Sequence, residues 1–245
     1  MRIEEVILHA RHLTDQKAFY RRTLGLPLLA ETADSFTIQA GTTRLRFQET
    51  ASDVLYHVAF AIPRHTFQEA KAWVRGRVPL LAITGSPQVY SPTSPLRGWH
   101  KEGEDEIFFP MIKARSFYCC DAANNILKFI VYDDLSHEAA GADGAASVLH
   151  VSEVGLPVED VRKLSARLKE QLGIAPYPVS RPISEDFAYL GDIFGQLVVV
   201  KIGHPWLPTQ TVRAAMAPVH LTISGQQEQQ IQLSPYPYSM TVTAS

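Results

Sequence analysis

The sequence predicts an α+β protein made of tandem strand, helix, strand, strand units, four of them, with the last shortened. Three observations predict it. Strands of period-two alternation run into amphipathic helices, as in "LYHVAFAIPRHTFQEAKAWV" at 55–74. The pattern restarts after a stretch of small residues at 136–147. It restarts at a fixed distance: Glu5 and Glu153 stand 148 apart, and so do Leu24-Gly25-Leu26 and Leu172-Gly173-Ile174, which is the mark of internal duplication.

Each element follows from its own residues. "EEVILHARHL" reads as a strand and "TDQKAFYRRTLGL" as a helix with Thr14 or Asp15 near its cap. "LPLLAE" adds a short strand and "SFTIQAGTTRLRFQE" a hairpin. The second unit begins at His57, whose strand puts His57, Ala59 and Ala61 on one face and Val58, Phe60 and Ile62 on the other. Pro63 stops that strand, and Phe67, Ala70 and Val74 then recur at helical spacing. "RSFYCCDAANNILKFIVYDD" closes the unit as a hairpin turned at Asn124-Asn125. Between them, 75–113 is rich in Pro, Gly and Ser and longer than an ordinary connection, which predicts a lid across the first site with Trp99 or Phe108 as an apolar wall. The third unit repeats strand and helix in "VSEVGLPVEDVRKLSARLKEQLGI" and the hairpin in "EDFAYLGDIFGQLVVVKI"; the fourth, from "APVHLTISG", has no room for a helix.

Composition bounds the function. A formal charge of −2 with 46% hydrophobic residues describes a globular protein with no basic stripe, so neither nucleic acid nor a membrane is an expected partner, and the expected location is cytoplasmic. The only two cysteines, Cys119 and Cys120, are adjacent in a strand, point to opposite faces and have no zinc-like spacing. No phosphate-binding glycine loop or nucleophile motif occurs.

"KAFYRRTLGLPL", "YHVAFAIP" and "SFYCCDAANNILKF" together resemble the glyoxalase, bleomycin-resistance and ring-cleaving dioxygenase proteins of the vicinal oxygen chelate superfamily, over nearly the whole chain. The resemblance implies βαβββ modules paired into cupped mixed sheets with helices outside. It also implies a divalent metal (Fe, Mn or Zn) held by residues at the head of each module's first strand and by a glutamate on its last strand. Four modules are similar to the two-domain layout of the extradiol dioxygenases. That layout puts modules one and two in 1–135 as the first cup and the site, a linker at 136–147, and modules three and four in 148–245 as a second cup that supports the fold or forms a homodimer surface.

Carried over by position, the first-strand residues are Glu5, His57, Glu153 and His220. His57 and Glu5 are then the metal candidates of the first cup, with a third oxygen from Glu49 or from the run Glu102, Glu104, Asp105, Glu106. Lys128 stands where the resemblance places module two's carboxylate; an ammonium has no lone pair to give and repels a cation. In the third module that position falls on Val199, which predicts a packed second cup. Alternation turns Arg44, Arg46, Gln48 and Lys128 toward the cup, where Lys128 is expected to pair with Glu5. Two functions follow. One is metal-dependent lyase, isomerase or dioxygenase chemistry on a small substrate with vicinal oxygens. The other is metal-free binding of a small molecule by Lys128, Arg44, Arg46, His9 and Trp99, with Lys128 supplying the missing charge and no cofactor. Histidine 100, beside Trp99, is a weaker candidate, and "GHPWLP" at 203–208 reads as a rigid turn with a packing tryptophan.

Overall fold

A computed structural model describes residues 1–84, 102–135, 147–180, 182–209 and 211–244. Module one supplies β1 (Ile3–Ala10), α1 (Leu13–Ala18) continued by a π-helical turn (Phe19–Thr23), β2 (Leu28–Glu31), β3 (Ser35–Ala40) and β4 (Thr43–Glu49). Module two supplies β5 (His57–Ala61), α2 (Phe67–Arg75), β6 (Ile107–Phe109), β7 (Ala114–Cys120) and β8 (Ile126–Tyr132). Module three supplies β9 (His150–Val158), α3 (Val161–Leu172), β10 (Phe187–Asp192) and β11 (Gly195–Lys201). Module four supplies β12 (Val219–Gly225), β13 (Gln229–Gln232) and β14 (Tyr238–Ala244).

The strands form two mixed seven-stranded sheets, ordered β13-β14-β12-β1-β4-β3-β2 and β10-β11-β9-β5-β8-β7-β6. Module one is therefore joined to module four through β1 and β12, and module two to module three through β5 and β9. This corrects the expected partnership of modules one and two within 1–135. The duplication tells which modules are equivalent, but not which first-strand edges meet. The expected linker lies outside the described residues, apart from Ser147.

The duplication itself is visible in the backbone. Gly25 and Gly173 both take left-handed φ, at 67° and 68°, to end their helices. The following amides close the same ring, Leu26 N–H onto the Tyr20 carbonyl and Ile174 N–H onto the Leu168 carbonyl. The helix starts differ: α1 begins after His12 with no side-chain cap, whereas Asp160 caps α3 by accepting from the Lys163 amide. The expected Thr14 or Asp15 cap thus gives way to an uncapped start.

One apolar core serves both sheets. It takes Val6, Leu8, Leu45 and Phe47 from the first, Val58, Phe60, Leu127 and Phe129 from the second, and Phe67, Val74, Leu164 and Leu168 from the helices. Full burial of such a side chain contributes about 1.5–3 kcal/mol. With one face of each sheet committed to this core and the helices, the alternate residues of every strand point to the opposite, outer face, and it is these outer faces that hold the candidate residues. A second apolar cluster, with Ala59, Ile126, Ile130, Val198 and Trp206, covers the outer face of the second sheet.

Candidate functional site

On the outer face of the second sheet, register lines up Lys128 (β8), Ala59 (β5), Glu153 (β9) and Gln196 (β11) across four adjacent strands. Ala59 has only a methyl group, so the Lys128 chain passes over it and Nζ donates to Glu153 Oε1 at 2.7 Å. Tyr132, four residues along β8 on the same face, donates to the same oxygen at 3.1 Å, and His57 Nε2 lies 3.6 Å from Glu153 Oε2. The Phe109 ring lies 4.7 Å from the ammonium, a cation–π contact. Trp206 stacks on the His57 ring at 4.8 Å and 24°, over Gly155. The cluster is sealed: Lys128 is 1% exposed and Glu153 not at all.

The electrostatics follow from that seal. Burial pushes the Glu153 carboxyl up, but Lys128 and His57 outweigh burial and hold it down at about 2. Burial lowers the Lys128 ammonium, and Glu153 offsets part of that. Burial likewise lowers His57 against the pull of Glu153 and raises Tyr132, with Glu153 adding to the rise. Glu153 is the fixed negative charge around which the others are arranged.

This geometry corrects the expected site. Lys128 pairs with Glu153 of module three, not with Glu5. Glu5 belongs to the first sheet and pairs with Arg44 at 3.3 Å, so Glu5 and His57 do not share a ligand set. Arg44, Arg46 and His9 are likewise separated from Lys128. Val199 faces the common core, and the residue aligned with Glu153 on the module's last strand is Gln196. Asp105 and Glu106 are tied to α2 by Lys71, at 2.8 and 2.9 Å, and are not turned to either outer face as substitute ligands. Trp99, His100 and the rest of 85–101 in the expected lid lie outside the described residues. Tyr132, Gln196 and Trp206 were not among the candidates. Tyr132 follows Lys128 and Ile130 in alternation and was legible; the approach of Trp206 to His57 crosses modules and was not.

The donor set does not fit the metal that the resemblance implies. The ammonium occupies the place beside Glu153 that a cation would take, and a lysine in this state cannot ligate. Within this cluster the buried atoms left without a hydrogen-bond partner are Glu153 Oε2, Gln196 Nε2 and His57 Nδ1; the amide N–H is a donor that a cation repels, and the two atoms that remain are too few to hold a metal beside the ammonium. Among the described residues no group of three His, Cys, Asp or Glu could hold a metal ion.

The first sheet presents a polar outer face. Glu5, Ile7 and His9 of β1 align with Arg44, Arg46 and Gln48 of β4, and across β12 Ile7 faces His220 while Glu5 faces Thr222. His220 is held between Ser239 Oγ at 2.8 Å from Nδ1 and Thr241 Oγ1 at 3.3 Å from Nε2. Glu5 and His220 are diagonal neighbours here as Glu153 and His57 are in the second sheet, but Thr241 replaces the lysine and Arg44 the glutamine.

Comparison with solved structures finds the same architecture. A "putative dioxygenase" of Bacillus subtilis matches all of this chain and 85% of its own, at 11% identity and a TM-score of 0.59. A mutant of glyoxalase I from Zea mays matches 98% of this chain and 91% of its own, at 11% identity and a TM-score of 0.52. No protein-family model matches the chain, and no curated protein matches it. Among the described residues no helix is long and apolar enough to cross a membrane.

Proposed function

Taking the vicinal oxygen chelate fold of this chain as the premise, we propose that the protein is a metal-independent small-molecule-binding member of that fold. One observation carries the reading: the Lys128 ammonium, 2.7 Å from Glu153, occupies the centre of the second sheet where a cation would otherwise be held. An ammonium supplies one positive charge and three donors without open coordination positions, so it can hold the sheet together but cannot present two vicinal oxygens of a substrate to a Lewis acid. Trp206 and the second apolar cluster close that face, which leaves the polar face of the first sheet, with Glu5, His9, Arg44, Arg46 and His220, as the place for a ligand. The test is a calorimetric titration of chelator-treated protein with zinc and manganese. Weak or absent binding is the expected result; tight binding that disappears in His57→Ala would overturn the reading.

A further inference from the structure

We propose that the outer face of the first sheet binds a small planar carboxylate, with Arg46 as the recognising cation, Ile7 as the apolar floor and the flat face of the His220 ring as the far wall. The inference rests on the metal-independent reading above and adds the ligand class. Its basis is a row crossing four strands in register: Arg46 on β4 beside Ile7 on β1, Ile7 beside His220 on β12, and His220 beside Ser239 on β14. Adjacent strands are about 4.8 Å apart, so the backbones carrying Arg46 and His220 lie roughly 10 Å apart with an aliphatic side chain between them. That spacing fits a flat body on Ile7 with a charged group at one end.

The charge distribution picks out Arg46. Arg44 is engaged by Glu5 at 3.3 Å, and Glu4 accepts from Thr243 at 2.9 Å. The Arg46 guanidinium meets only the neutral Ser35 hydroxyl, at 3.1 Å from Nη2, while its Nε is shielded from water and has no partner. His9 Nδ1, two residues from Ile7 on the same face, is also shielded and unpartnered. An arginine donor left in that state is costly, and the planar guanidinium fork matches a carboxylate better than a tetrahedral anion. His220 is held at the other end by two hydroxyls, one on each ring nitrogen, which fixes the orientation of the ring.

The corresponding face of the second sheet shows what a filled site looks like. There Trp206 sits on His57 and an apolar cluster covers the strands. Among the described residues no such cluster covers the first sheet's outer face.

Benzoate is the probe, titrated calorimetrically into the full chain in EDTA, with benzamide as its neutral isostere and inorganic phosphate as a non-planar anion. Benzoate should bind, benzamide and phosphate should bind more weakly by about tenfold or more, and Arg46→Gln should weaken benzoate by about tenfold with its thermal midpoint held near that of the wild type. Arg46→Lys, which keeps the charge and loses the fork, should fall between. No binding of benzoate by the wild type, equal binding by Arg46→Gln, or phosphate bound as tightly as benzoate would each overturn the assignment. Benzoate binding that required added zinc would instead overturn the metal-independent reading, so the two failures are distinguishable.

Discussion

At Glu153 a full negative charge is kept out of reach of bulk solvent, and Lys128, Tyr132 and His57 are the groups that compensate it. Removing its partner should be worse than removing the pair: Lys128→Met strands a buried carboxylate and should destabilise the fold by about 3–5 kcal/mol, while Lys128→Met with Glu153→Gln should cost clearly less. Urea denaturation of the three proteins measures both. The pH dependence has a definite sign. Because the folded carboxyl is held down at about 2, below its ordinary value of 4.5, its contribution is present above about pH 4.5 and is lost as pH falls through that range toward 2. Between pH 6 and pH 3 the wild type should therefore lose more stability than Glu153→Gln, by an amount on the order of 3 kcal/mol or less.

At the scale of elements, alternation placed the right side chains on the right faces. Leu45 and Phe47 do enter the core, and Arg44, Arg46 and Lys128 do point away from it, because a strand's period is fixed by its backbone. The tryptophan of the "GHPWLP" turn was read as packing, and it does pack, but against His57 and across Gly155. Nothing in the local pattern of either segment signals that approach. It yields a prediction at β9: a Cβ on Gly155 would stand 2.8 Å from Trp206 Cη2 and 3.2 Å from His57 Cβ. Gly155→Ala should therefore displace the indole, cost about 1–3 kcal/mol and alter tryptophan fluorescence. Unchanged emission and stability would show that Trp206 is not packed there.

For the whole molecule, the sequence showed four modules and named the four first-strand residues Glu5, His57, Glu153 and His220, yet it paired them wrongly. Offsets along the chain record duplication, whereas the choice of partner is made by tertiary edge pairing, and β1 with β12 satisfies the same local pattern as β1 with β5 would. The observed pairing makes the chain's halves interdependent, since each of 1–135 and 148–245 holds part of both sheets. Expressed alone, neither half should unfold cooperatively, while the two together should reassemble; a cooperative melt of residues 1–135 alone would contradict the pairing.

The central claim is that an internal ammonium holds the position of a metal, and Lys128→Glu tests it most directly. That change surrounds the centre with two carboxylates, an imidazole and the Gln196 amide, a ligand set suited to zinc or manganese. Calorimetric titration of the chelator-treated wild type and variant with both ions should show little binding by the wild type and tight binding by the variant, with a metal-dependent rise in its thermal midpoint. Tight binding by the wild type, weakened rather than gained in Lys128→Glu, would contradict the account.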